Sequence, residues 1–304
     1  MKTRLLALLS LCLLPLAGCN DTSSAPPGNG GGGGDGGGNG SGGDGGGPGG
    51  DGSAPPADLL MTLPLCYMAP ADLATSKMQA KNCGVGQNAS FFIRPNPYQK
   101  IVIEVNATAG ASPRTAAIDH LKQVITDNLG KPGGVTVKMG DMNIAAPGHP
   151  LTIDEIRAIE DAHRQNYAGG DTVVFYYLIV SDPSKDDTNQ FQVLGYAHRA
   201  SSMVIFQNTI NKISGGIGKP SADTVESTVV AHEFGHILGL VNIGTPMVTP
   251  HEDPQHNGHD VNTKCLMYYA NNSSDLVLNV LQGGLIADFD AQCKADLAAV
   301  KNRM

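Results

Sequence analysis

His232-Glu233-Phe234-Gly235-His236-Ile237-Leu238-Gly239 decides how the rest of this 304-residue chain is read. On an α-helix, positions i and i+4 lie on one face, so His232 and His236 present two imidazoles to one point in space. Imidazole nitrogen is a good zinc ligand, and Glu233 is placed to take a proton from water held at such an ion. Burying two histidines and a glutamate without a shared partner is costly, which disfavours an ordinary core helix. Gly239 follows as the residue that lets a chain leave a helix abruptly.

The flanks agree. Ser221, Asp223 and Thr224 offer caps at the helix start. Val225, Val229, Val230, Phe234, Ile237, Leu238 and Leu240 make it broadly apolar. A hydrolytic zinc site needs a third protein ligand and an open fourth position. Further on stands Cys265-Leu266-Met267-Tyr268-Tyr269. H-E-x-x-H-x-x-G followed by this Met-centred segment resembles the metzincin clan of zinc peptidases, whose longer pattern has a third His three residues after the Gly and then a Met-turn. Here Asn242 stands at that third position. In matrixin-like and archaemetzincin-like patterns the third His lies eight residues before the Met, and eight before Met267 is His259. The chain then reads as the family's Gly-to-His connection with 17 extra residues, 242–258, rich in Gly, Pro and His as a loop would be.

The resemblance covers roughly residues 98–304, with its sharp motifs at 232–269. It implies His232, His236 and His259 as zinc ligands. His251, His256 and Asn242 are the rivals for third ligand, and His251, Asp253 and His256 could alternatively form a second metal set. It implies Met267 as an apolar floor beneath the zinc. Tyr269 stands at the offset where a Tyr reaches the metal or the oxyanion in astacin-like and serralysin-like members. The fold implied is α+β with an α/β-like upper half: a mixed twisted sheet, two backing helices, the zinc helix, the Met-turn and a C-terminal helix. The activity implied is peptide-bond hydrolysis with Glu233 as general base, on a protein or peptide substrate. Two other classes stay open. A zinc-binding surface lipoprotein without turnover fits Asn242 and the long insertion, although a pure binder has no need of Glu233. A zinc hydrolase of non-peptide amides is the other.

The body of the chain supports such a fold. Residues 100–105 read as a strand, 112–129 as an amphipathic helix and 135–139 as a strand, a β-α-β unit whose strands should be parallel. Residues 152–167 read as a helix opened by the capping box Thr152 and Glu155. The continuous β-branched and aromatic run 172–180 looks like a central strand. Residues 192–198 and 202–207 read as shorter strands, the second a candidate edge for pairing an extended substrate. Residues 270–284 are expected to line the pocket beyond the scissile bond, with a last helix over about 285–302. The Asp-rich stretch 181–187 has no metal-ligand spacing and reads as a solvated turn.

The ends place the protein. Lys2 and Arg4 precede an apolar run, 5–16, too short to span a membrane and suited to a signal peptide over 1–18. Leu16-Ala17-Gly18-Cys19 resembles a bacterial lipobox, which implies lipid on Cys19 and a stable membrane anchor. Asn20 leans towards outer-membrane sorting, so the bacterial cell envelope is the expected location. Residues 19–57 are a Gly-rich tether with a span of roughly 35 Å. Residues 58–304 suit one domain, with 58–97 an extension carrying no readable pattern. Formal charge is −8, from 20 basic and 28 acidic residues. Losing Lys2 and Arg4 leaves 18 against 28, or −10, with no basic patch, so nucleic acid is not an expected partner and a monomer is. Of the six cysteines, Cys66, Cys83, Cys265 and Cys293 remain for disulfides. Cys66–Cys83 and Cys265–Cys293 are the simplest of three pairings. Asn82-Cys83-Gly84-Val85-Gly86 faintly resembles the matrixin cysteine switch, in which a thiol caps the zinc, but lacks its Pro, Arg and Asp.

Overall fold

In the computed structural model, residues 65–189, 191–272 and 288–303 are described. The signal peptide, Cys19, the tether and most of the expected pocket segment at 270–284 lie outside them.

The first elements occupy the stretch that carried no pattern. α1 (Leu73–Asn82) is capped by Asp72, whose side chain accepts from the Thr75 amide, and α2 (Ala89–Ile93) follows. Cys66 and Cys83 are disulfide-bonded. The Cys83 carbonyl accepts from the Ala200 amide, so this region is stitched to the sheet. Cys83 therefore does not act as a free switch thiol. Phe92, fully buried, packs edge-on against Phe234 of the histidine helix at 6.2 Å between ring centroids.

β1 (Lys100–Ala107), α3 (Thr115–Asn128) and β2 (Val135–Met139) form the expected β-α-β unit, with β1 and β2 parallel. α4 (Ile153–His163) opens with the full Thr152/Glu155 capping box. It stops four residues before the sequence pattern does. The cause is Glu104 in the middle of β1: its buried carboxylate accepts from the amides of Gln165 and Asn166 at 2.8 and 2.7 Å. Those two amides are thereby pulled out of the helical ladder.

β3 (Thr172–Val180), β4 (Gly195–Arg199) and β5 (Ser202–Phe206) complete a sheet of order β2-β1-β3-β5-β4, parallel except for β4. β3 is central, as its unbroken apolar run requires, since both of its faces are covered. Ile101, Ile103, Val105, Phe175, Tyr177 and Ile205 face the core shared with α3 and the histidine helix. Tyr176, Leu178, Val180, Val204 and Phe206 face a smaller core with Ile156 of α4. The edge expectation needs correcting. Residues 202–206 lie between β3 and β4, and the antiparallel edge is β4. An all-buried pattern in β5 reflects that interior place.

α5 (Gln207–Ile213) leads to α6 (Ala222–Ile237), capped by Ser221. Every residue of α6 from Val225 onward is buried, so it is a core helix. α7 (Ala291–Lys301) starts where Asp290 accepts from the Gln292 and Cys293 amides. Among the described residues no helix is long and apolar enough to cross a membrane.

Candidate metal centre

α6 carries His232, Glu233 and His236 inward near its C-terminal end. The helix stops because Gly239 takes φ +68°. A Cβ there would lie 2.7 Å from the Thr245 backbone nitrogen, so glycine is required twice over. Val241 and Asn242 continue in the left-handed region, at φ 52° and 69°. That is unusual for a β-branched residue and reverses the chain sharply into the insertion. Asn242 donates from Nδ2 to Glu252 across the insertion at 2.9 Å, so its side-chain amide is already engaged there.

The insertion then returns. Glu252 and Asp260 form an antiparallel bridge, and the Asp253 amide donates to the His259 carbonyl at 2.7 Å. This fold-back sets the His259 ring against the other two, with centroids 5.3 Å from His232 and 4.9 Å from His236. One ligand-type nitrogen from each of His232, His236 and His259 lies within 4.8 Å of the others. The Nε2 atoms of His232 and His236 are 3.0 Å apart. His259 Nε2 is buried without a hydrogen-bond partner.

The electrostatics suit ligation. Burial and the neighbouring imidazole of His259 push His232 down to about 3, with the Leu266 carbonyl opposing. His236 is held well below the ordinary histidine value by burial and both other rings, and His259 is lowered mainly by burial. Neutral imidazole is the form that binds metal. The Leu266 carbonyl accepts from His232 Nδ1 at 2.7 Å, which fixes the tautomer and leaves Nε2 as the free lone pair.

Glu233 is buried, and burial raises it to about 8, against the Ala197 amide, which lowers it. That amide, from β4, donates to Oε2 at 2.7 Å. Oε1 has no partner. One oxygen is thus held and the other is free to accept.

Met267 is fully buried beneath α6. A Cβ on Gly235 would come 2.3 Å from Met267 Sδ. Gly235, inside the motif, is therefore the residue that lets the Met-turn approach the helix backbone. Its sequence signal was available: a glycine between two ligand positions of a helix calls for a close approach. The Leu266 carbonyl and Ala197 amide are main-chain groups, and no side-chain pattern could point to them.

The remaining candidates have partners of their own. Tyr269 stacks flat on His256 with centroids 3.7 Å apart, and Asp253 accepts from or pairs with His256 Nδ1 at 2.7 Å. His251 is fully buried away from His256, between two carboxylates, so the grouping of His251, Asp253 and His256 as one metal set does not form. Cys265 and Cys293 are buried thiols with Sγ atoms 3.8 Å apart rather than a disulfide. Cys293 also contacts Asp260, which gives its sulfur a second neighbour besides Cys265. A second cluster of ligand-type atoms lies here: His251, Asp260, Asp290 and Cys293.

No family model matches this sequence, and no curated protein matches it. Among solved structures, the chain is similar to archaemetzincin from Methanopyrus kandleri, at 17% identity, TM-score 0.43, over 67% of this chain and 97% of that one. It is also similar to metalloproteinase-II from Bacteroides fragilis, at 12% identity, TM-score 0.37, over 76% of this chain and 61% of that one.

Proposed function

We propose that this protein is a zinc-dependent metalloendopeptidase held to the bacterial cell envelope by lipid on Cys19. The observation that carries the enzymatic part is one constellation: three imidazoles converging within 4.8 Å, next to a buried carboxylate with one free oxygen. The donor set fits zinc, which takes three protein nitrogens and leaves a fourth position open. His232, His236 and His259 would hold the ion. Zinc there would supply a Lewis acid that polarises a carbonyl and brings the pKa of a bound water to around 7.

The chain's own residues supply the rest. Glu233 Oε1 accepts the proton of the attacking water and passes it to the leaving amine. The Ala197 amide fixes the carboxylate through Oε2, so Oε1 keeps one direction. Met267 and Gly235 close the floor. β4 is the edge strand of the sheet, the element along which an extended peptide could add as a strand beside the Ala197 amide that Glu233 holds. Tyr269 in its stack with His256 would border the open side. A site built only to hold metal has no use for a buried carboxylate with an unpartnered oxygen, which is why hydrolysis is preferred over binding alone. The anchor rests on the lipobox-like Leu16-Ala17-Gly18-Cys19 and the Gly-rich tether after it, and the chain's acidity leaves lipid rather than charge to hold it at a membrane.

Glu233→Gln tests the reaction. The variant is expected to bind one zinc per chain like the wild type and to lose casein or gelatin hydrolysis. Retained hydrolysis would refute the role of Glu233, and a wild type that binds zinc but cleaves nothing would favour the non-catalytic reading. Fractionation of Cys19→Ala cells tests the anchor: this variant should leave the membrane fraction, and its retention there would rule out lipid on Cys19.

A further inference from the structure

His251 was a rival for third ligand, yet both of its ring nitrogens are already spent. Nδ1 meets Asp260 Oδ2 at 2.8 Å and Nε2 meets Asp296 Oδ2 at 2.9 Å, with all three side chains fully buried. Both ring nitrogens are engaged by carboxylates, which raise the affinity of His251 for a proton against the opposing effect of burial. The other carboxylate oxygens are satisfied as well: Asp260 Oδ1 by the Asn262 amide at 2.7 Å, Asp296 Oδ1 by the Val248 amide at 2.6 Å.

The position of this bridge in the chain matters. Asp260 directly follows His259. Its amide donates to the Met267 carbonyl at 2.9 Å, and the Val261 amide donates to the His251 carbonyl at 3.0 Å. Asp296 stands on α7, and Val248 stands early in the insertion. The bridge thus ties together the outgoing limb of the insertion, its returning limb and the C-terminal helix. A 17-residue insertion would otherwise deliver its histidine with wide freedom, and a ligand atom has to be placed within a few tenths of an ångström.

Resting on the proposed metallopeptidase reading, we infer that Asp260–His251–Asp296 is a buried hydrogen-bonded latch that sets His259 for the metal, so that His251 is a positioning residue and not a ligand. The neighbouring group of His251, Asp260, Asp290 and Cys293 is then not a second metal site. Its donors are committed: Asp290 spends Oδ1 on the α7 cap and Oδ2 on Asn262 Nδ2, and both ring nitrogens of His251 are engaged. The Cys293 thiol, beside Cys265 and buried, is held in its protonated form.

The test uses the full chain, with zinc per chain by elemental analysis and zinc affinity by competition with a chromogenic chelator. Wild type is expected to bind one zinc. His251→Gln is expected to bind one as well, but 10- to 100-fold more weakly, as loss of a group that orients a ligand does. The metal-free melting temperature is read alongside. A merely structural bridge would lower that temperature and leave the affinity of the folded protein unchanged, and that result would overturn the latch. Two zinc ions in the wild type, one of them lost in His251→Gln, would also overturn it. If His251→Gln does not fold, Asp296→Asn decides: it keeps shape and a hydrogen bond, and weakened zinc binding supports the latch while unchanged binding refutes it. Loss of zinc in His259→Ala with none of these effects at His251 would sink the latch and leave the metallopeptidase reading standing. A wild type that binds no zinc would remove both.

Discussion

Gly235→Ala should uncouple the Met-turn from the histidine helix, and its cost can be worked out from the packing. The added Cβ would sit 2.3 Å from Met267 Sδ and 3.0 Å from Phe289 Cε1, where ordinary contact begins at 3.4 Å. The sulfur must therefore yield by about 1 Å in a core where Met267 and Phe289 are at most 2% exposed. Overpacking of this kind costs about 1–3 kcal/mol. Helix propensity returns about 1 kcal/mol, because alanine replaces glycine inside a helix. The clash is at the severe end, so a net loss of about 1–2 kcal/mol is expected, or roughly 2–8 °C in melting temperature for a domain of this size. Met267→Ala alone should cost about 2–5 kcal/mol by leaving a cavity. In the double variant the new methyl occupies part of that cavity. The two changes should therefore fall short of additive by more than about 1 kcal/mol. Denaturant titration of the four proteins closes the cycle. Additivity within about 0.5 kcal/mol, or a Gly235→Ala variant more stable than wild type, would show that Met267 does not press on the helix at Gly235.

Two further outcomes follow from single residues. His198 in β4 is buried, and that burial lowers it to about 4 against an unfolded value near 6.5. Between those values the unfolded chain binds a proton that the folded one refuses, so this residue's contribution is full above pH 6.5 and is lost as pH drops towards 4, about 3 kcal/mol in all. The gap between urea midpoints at pH 7 and 4.5 should narrow in His198→Gln without closing, because His232, His236 and His259 are lowered too, and an unchanged gap in that variant would dismiss the effect. Gly239→Ala puts a side chain at φ +68° with its Cβ 2.7 Å from the Thr245 nitrogen, and should lose more than about 2 kcal/mol; a loss below about 0.5 kcal/mol in a denaturant midpoint would contradict the turn described here.

Elements whose cause is local were legible in the chain. The Ser221 cap, the capping box at Thr152 and the β-α-β order depend on neighbours a few residues apart. The long apolar run at 172–180 announced burial on both faces. The place of the two motif histidines follows from helical spacing alone. His259 came from counting back from Met267, and the structure sets its ring against theirs because Asp253 and Glu252 fold the insertion back on itself.

What failed to show in sequence depends on partners far along the chain. α4 ends early because Glu104, some sixty residues before, takes two of its amides. Residues 202–206 are apolar whether they lie at an edge or inside, so only pairing could show that β4 forms the edge. Cys265 and Cys293 are near enough to suggest a bond, yet their sulfurs stay 3.8 Å apart and Cys293 also meets Asp260.

The sequence by itself determined the histidine helix, the place of Glu233 on it and its stop, because periodicity and capping are short-range. Only the tertiary structure decided that Ala89, Phe91, Phe92 and Ile93 join the core, that Gly235 lets Met267 approach and that His251 bridges two limbs. Those facts arise from groups brought together by the closing of the chain, and a linear pattern carries no record of distance in space.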